Sequence, residues 1–234
     1  MINDFHIDCK EIRKLLIKSL HIAKSGHPGS SLSMVEILNY IYKFDKGFKL
    51  VLSKGHGVPA LYSVMNYYNE LEDEQLFSLR KVNSKTQGHP DRSKFQKIDC
   101  STGALGQGLS VAIGYALASK LQNKNYNTYC ILGDGELQEG QIWEAAMYLG
   151  TNFLKNLLVI VDNNKFQNED TVEKTLPMGN LIDKFNSFGF QTIDIDGHDF
   201  KQIDNAFKLF KQCNKPFLIL ANTVKGKGIS FMEN

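Results

Sequence analysis

Apolar side chains at Ile12, Leu15, Leu16, Leu20 and Ala23 recur at the spacing of one helix face, which predicts a helix over residues 4–24. The pattern runs out in Ser25-Gly26-His27-Pro28-Gly29, where glycine and proline stop a helix. A second helical pattern covers residues 32–42. Residues 50–53 are a strand candidate leading into Lys54-Gly55-His56-Gly57, and helical spacing returns near 60–69 and 73–80. The second half is more regular. Residues 128–132 read as a buried strand ending at Gly133, and 141–150 as a helix. Residues 157–161 are a continuous apolar run, as expected of a strand covered on both faces. Residues 190–195 and 217–224 are further strands, with a helix over 200–211 between them. Strands alternating with helices define an α/β chain: a parallel sheet flanked by helices on both faces. Ligands of such sheets bind beyond the C-terminal ends of the strands, so the segments after Leu132, Val161 and Val224 share one rim.

Composition narrows this picture without adding to it. At 234 residues, with 42% apolar and 22% charged positions, the chain has ordinary globular usage and length enough for a sizeable core. No repeat, low-complexity tract or linker divides it, so residues 1–234 are expected to form a single domain. The 27 basic residues against 25 acidic leave a net charge of +2, which gives no support for nucleic acid or a membrane as a partner. No run approaches the roughly twenty apolar residues of a bilayer span, and no signal peptide is visible. Cys9, Cys100, Cys130 and Cys213 are far apart and form no CxxC pair, so they read as small buried side chains of a reduced, cytoplasmic protein.

The candidate chemistry lies at the strand ends. In Gly133-Asp134-Gly135 the glycines let the backbone approach a ligand while Asp134 presents a carboxylate. Taken alone the triplet reads better as a plain turn than as a site. The next strand ends in Asp162-Asn163-Asn164-Lys165-Phe166, one βαβ unit further on. Asp134, the Asn164 amide oxygen and a backbone carbonyl would then offer oxygen ligands from adjacent turns. Mg²⁺ takes few protein oxygens and completes its shell with water and ligand phosphates, so the set suits a Mg²⁺-bridged diphosphate. A Gly-rich run, Ser101 to Gly108, opens a helix over 109–121 and exposes amides at its start. His27, His56 and His89 each stand in a Gly- or Pro-containing loop. Surface turns or a zinc site would also use such histidines, but no thiolate or HxxxH pair supports zinc. His6, His21 and His198 read as structural.

The stretch GDGELQEGQIWEAAMYLGTNFLKNLLVIVDNNKFQ resembles transketolase. So do SGHPGSSLSMVEIL, LSKGHGVPALY, GHPDRSKFQKIDCSTGALGQGLSVAIGYALA and TVKGKGISFMEN, in order along nearly the whole chain. The resemblance implies a thiamine-diphosphate-binding fold of the diphosphate-binding type. It implies Mg²⁺ held by Asp134, Asn164 and the Phe166 carbonyl, with Ca²⁺ or Mn²⁺ able to replace it. Gly135 would meet the diphosphate, and Gly103 and Leu105 the aminopyrimidine end. His56 and Ser30 would lie near the cofactor, and Glu139 beside it at a subunit interface, with Glu144 able to extend that carboxylate network. Lys225 would reach the diphosphate, although an exposed basic turn would look the same. His27 and His89 would face sugar hydroxyls and move protons.

A full transketolase is more than twice this length, and the resemblance covers only its first domain. It therefore implies the N-terminal subunit of a split enzyme. Its partner would be a C-terminal subunit carrying the pyrimidine-binding domain, with a dimer of this chain inside a heterotetramer. The reaction would move a two-carbon ketol unit from a ketose, phosphorylated by expectation, to an aldose. Met1 stands directly before the first matched helix, where a natural start is expected. A Trp-His-Gly segment is expected soon after FMEN and would be shortened or carried elsewhere. Other readings are a 1-deoxyxylulose-5-phosphate synthase-like or 2-oxoacid dehydrogenase-like component, or a non-catalytic cofactor-binding homologue.

Overall fold

The computed structural model describes residues 2–168 and 170–233, so Met1 and Asn234, on which the expectations about the chain's ends bear, lie outside it. Five parallel strands form one sheet in the order β1-β2-β3-β5-β4: β1 (Lys49–Leu52), β2 (Thr128–Gly133), β3 (Leu157–Asn163), β4 (Gln191–Asp196) and β5 (Phe217–Asn222). The expected parallel α/β sheet is therefore what the chain forms.

Side chains alternate across this sheet, as strand geometry demands. Tyr129, Ile131, Leu158, Ile160, Phe217 and Ile219 enter one apolar core. It is closed by α1 (Ile2–Ala23), α3 (Val35–Phe44), α4 (Val58–Tyr67) and α10 (Phe200–Gln212). Cys130, Leu132, Val159, Val161, Leu218 and Leu220 enter the other. There they meet α6 (Gly108–Leu121), α7 (Gly140–Thr151) and α9 (Leu181–Ser187). Three short helices complete the chain: α2 (Pro28–Leu32), α5 (Asp73–Leu76) and α8 (Val172–Thr175).

Two helical stretches differ from expectation. The pattern over 32–42 belongs to two helices, because the chain turns at Ser33-Met34, where the buried Ser33 hydroxyl is drawn to Asp162 at 2.6 Å. The stretch over 73–80 stops at Leu76, and Arg80 takes a left-handed backbone (φ 61°) while its N–H donates to Thr86 O. The cysteines are all unpaired, with Cys9 and Cys130 buried and Cys100 and Cys213 half-buried. Among the described residues no helix is long and apolar enough to cross a membrane.

Candidate functional site

The C-terminal ends of β1, β2, β3 and β5 deliver four polar segments to one rim. Strand register sets Gly133 beside Asp162, and the Asp134 N–H donates to Asp162 O at 3.3 Å. Asp134 is buried, and its carboxylate accepts from Gly135 N at 2.8 Å and from Lys165 N. It makes no salt bridge among the described residues. Burial first, and the Asp162 charge second, push its carboxyl up to about 6 against the pull of those two amides and of Lys54. A buried carboxylate in that condition is short of a cation. Asn164, also buried, lies one strand over; its amide oxygen accepts from Phe166 N at 3.1 Å. Phe166 forms a single bridge with Thr171. The bonds flanking it run from Gln167 N to Asp170 O and from Val172 N to Lys165 O, and neither uses the Phe166 carbonyl. No group of three His, Cys, Asp or Glu side chains placed to hold a metal occurs among the described residues. One carboxylate, one amide and one carbonyl is instead a Mg²⁺-type set that needs phosphate and water to complete it. The residues present fit a Mg²⁺–diphosphate group.

Cations and hydroxyls surround this point. Lys225, half-buried after β5, places its ammonium 3.3 Å from Gln167 O and 5.3 Å from the centre of the Phe166 ring. Burial lowers its pKa, and the Asp134 charge opposes that. Gly29 lies under the Lys225 stem, where a Cβ would come within 2.9 Å of Cγ. Ser30 is buried and its hydroxyl has no partner among the described residues, an orphan that a ligand could satisfy. Gly135 occupies a tight 3-10 turn against Gln167, with its N–H turned back to Asp134.

The three loop histidines do converge. The His27 and His56 rings stand edge to face at 5.5 Å. His89 lies against Gly103 (φ 143°), where an added Cβ would come within 3.2 Å of the ring. Burial, then Lys54 and the other two rings, push His56 down to about 3. Burial and the Arg80 guanidinium also lower His27 and His89. Each of these shifts favours the neutral ring. Gln87, His89, Pro90 and Thr102 line an open depression of about 430 Å³ at this edge. Leu105 is half-buried in the same Gly-rich run. Gly106 (φ 85°) packs under Glu139, where a Cβ would meet the Glu139 Cβ at 2.7 Å. Glu139 itself is exposed at the start of α7, as is Glu144 one turn on. His198 accepts the Val224 N–H at 2.9 Å and faces Glu36 at 3.0 Å, a structural position as expected.

Three residues at the rim escaped the sequence reading. Glu136 is buried and accepts from Gly106 N at 3.0 Å, Gly133 N at 3.1 Å and the Ser53 hydroxyl, tying the Gly-rich run to the β1 and β2 ends. Lys54 and Asp162 form a buried ion pair between the β1 and β3 ends. The only signal for them was their place inside the motifs.

The family described as transketolase, thiamine diphosphate binding domain, matches residues 6–234. The chain is 39% identical over 242 aligned positions to the 6-deoxy-6-sulfo-D-fructose transketolase subunit SqwG of Clostridium sp. (strain MSTE9), covering 98% of this chain and 88% of that one. It is 34% identical over 244 positions to an apulose-4-phosphate transketolase subunit of Phocaeicola vulgatus, covering 99% and 86%. The solved transketolase of Campylobacter jejuni superposes with a TM-score of 0.92 at 33% identity, over 100% of this chain and 39% of that one. The chain thus spans about two fifths of that solved structure. It belongs to the transketolase family and carries that family's thiamine-diphosphate-binding domain.

Proposed function

We propose that residues 1–234 form one diphosphate-binding domain and serve as the N-terminal subunit of a thiamine-diphosphate- and Mg²⁺-dependent transketolase. It would transfer a two-carbon ketol unit from a ketose to an aldose, together with a C-terminal subunit. The observation that carries this reading is the buried, cation-deficient Asp134 beside Asn164, on the same rim as three neutral histidines. The names of the two relatives above, each of them one subunit of a transketolase for a sugar with a sulfo or phosphate group, support a partner and an anionic sugar. Four unpaired thiols suit a cytoplasmic setting.

In this reading Asp134, the Asn164 oxygen and the Phe166 carbonyl hold Mg²⁺, and Gly135 and Lys225 take the diphosphate. Gly103 and Leu105 hold the aminopyrimidine end, with Ser30 and His56 alongside and Glu139 at the subunit boundary. When bound, thiamine diphosphate supplies the electron sink for breaking and remaking a carbon–carbon bond beside a ketone. The protein orients and moves protons. His27 and His89, neutral near pH 7, can both donate to and accept from sugar hydroxyls and can take up a proton released there. The half-buried cleft strengthens these contacts by limiting water.

Calorimetric titration of the chain with thiamine diphosphate, with and without Mg²⁺, tests the metal assignment. Asp134→Ala is expected to lose at least about 100-fold in affinity, the upper end of what even outer partners of a metal contribute. Unchanged affinity in that variant sinks the assignment. Ketol transfer appearing only after the C-terminal subunit is added would support the split enzyme. Tight binding with no transfer in that mixture would favour a non-catalytic homologue.

A further inference from the structure

Asp162 is buried near the end of β3, and nothing in the ligand set proposed above uses it. Its carboxylate accepts four hydrogen bonds: from the Ser33 hydroxyl at 2.6 Å, the Thr223 hydroxyl, the Lys54 ammonium, and the Asn164 side-chain amide at 3.3 Å. Those partners come from the α2–α3 turn and from the segments after β5, β1 and β3. Its backbone carbonyl accepts the Asp134 N–H at 3.3 Å. One residue thus touches both residues whose side chains are assigned to the cation.

An asparagine amide is nearly symmetric in shape, so a half-turn exchanges its oxygen and nitrogen. A carboxylate only accepts, so Asp162 selects the NH₂ arm of Asn164. The oxygen is left on the other arm, where it accepts the Phe166 N–H. A carboxylate this deeply buried needs a counter-charge. Lys54 supplies it: the side chain is 1% exposed and also donates to Ser30 O at 3.0 Å. The same ammonium therefore steadies the loop that carries the orphan Ser30 hydroxyl. Lys54 is committed to Asp162, and Asp134 makes no salt bridge among the described residues.

We propose that Lys54 and Asp162 form a positioning pair that fixes which arm of the Asn164 amide faces the cation site. The inference rests on the reading of Asp134 and Asn164 as Mg²⁺ ligands. Neither member of the pair touches the cation; each acts through Asn164.

Two variants of the full chain test this. Asp162→Asn keeps the shape but can meet the Asn164 amide with either arm, and Lys54→Met keeps the stem and removes the charge. Titration with thiamine diphosphate at saturating Mg²⁺ is expected to show affinity lower by about 10- to 100-fold in each. The double variant should be no weaker than either single one, because residues acting as one unit are not additive. The second readout is the Asn164 side-chain amide by ¹⁵N NMR without cofactor. Two distinct, exchange-protected proton signals are expected in the wild type, and lost protection in Asp162→Asn. This spectrum tests the pair even where wild-type chain fails to bind the cofactor, an outcome that would overturn the metal reading instead. Affinities within about twofold of wild type in both variants overturn the proposal, since loss of an orienting partner costs more. Undiminished Asn164 protection in Asp162→Asn does so as well. If melting shows that Asp162→Asn does not fold, Lys54→Met carries both readouts.

Discussion

The His56 ring meets burial first, then the Lys54 ammonium and the His27 and His89 rings, with Asp162 alone favouring its charged form. The outcome is a ring held neutral down to about pH 3, against 6.5 for an ordinary imidazole. The unfolded chain protonates this ring below pH 6.5 while the folded chain does not, so its contribution to stability is full above 6.5 and is lost as pH falls toward 3. Histidine ring ¹⁵N shifts should report neutral His56 down to about pH 4 in the folded chain. In His56→Asn the melting temperature should vary less over that interval. A ring that titrates near 6.5 would show that the His27–His56–His89 cluster is more open than described. These histidines were legible because each stands in a Gly/Pro loop, where a ring has no helix face to serve. Their meeting was not legible, since it depends on which strand ends are neighbours. Glu136, Lys54 and Asp162 were hidden for a related reason. A charged residue beside a turn ordinarily faces water, and only the closing of four segments over the rim buries these.

At the scale of elements, glycines in two neighbouring helices should respond to substitution with opposite signs. Gly114 in α6 is exposed, and a Cβ there would touch nothing within 4 Å. Gly114→Ala should therefore stabilise by about 0.5–1 kcal/mol through the unfolded chain and helix propensity. Gly150 in α7 faces Phe188 O so closely that a Cβ would overlap it. Gly150→Ala should instead destabilise by about 1–3 kcal/mol, the usual cost of overpacking. Thermal melts of the two variants on either side of wild type would bear this out; two shifts of the same sign would not. A second device ties α1 to α3 and to the chain after β5. Arg13 holds both Glu36 oxygens at 2.8 Å and donates to Lys227 O at 2.9 Å, while His198 Nδ1 meets the same Glu36 Oε2 at 3.0 Å. Burial alone would raise the Glu36 carboxyl, but the His198 bond and the Arg13 charge hold it down to about 2. Its stabilisation is complete above the ordinary 4.5 and disappears as pH falls from 4.5 to about 2. Glu36→Gln should cost on the order of 3 kcal/mol near pH 7, as when one partner of a buried pair is removed. Its deficit should shrink in urea melts at acid pH; a constant deficit would argue against the ion pair. Helices with sustained apolar spacing, such as α1 and α10, were visible in advance to within a few residues. The break between α2 and α3 was not, because it follows from a bond to Asp162 129 positions away.

For the molecule as a whole, the alternation of apolar runs announced a parallel sheet, whereas its strand order was not encoded in any local pattern. The order β1-β2-β3-β5-β4 is what gathers the β1, β2, β3 and β5 ends into one site and leaves β4 at the margin. It also leaves α6 and α7 packed side by side over one core, with Val111, Met147 and Tyr148 still exposed. A small pocket of about 180 Å³, lined by Cys100, Thr102, Ala104, Gln107, Gly108 and Val111, joins that surface to the Gly-rich run. α6 begins where this run ends, and α7 begins directly after Glu139. The apolar face is therefore continuous with the proposed cofactor site. Exposed apolar surface that runs into a site is where a second chain completing that site would sit. If the C-terminal subunit docks here, Met147→Glu places a charge within the contact. Association measured by sedimentation of the mixed subunits should then weaken by at least about 30-fold, the loss of one well-packed anchor. Met147 is 57% exposed in the isolated chain, so the variant's melting and its Mg²⁺-dependent cofactor binding should stay close to wild type. Undiminished association would move the partner to another face. Association lost together with cofactor binding would mean instead that α7 supports the Glu139 end of the site from within.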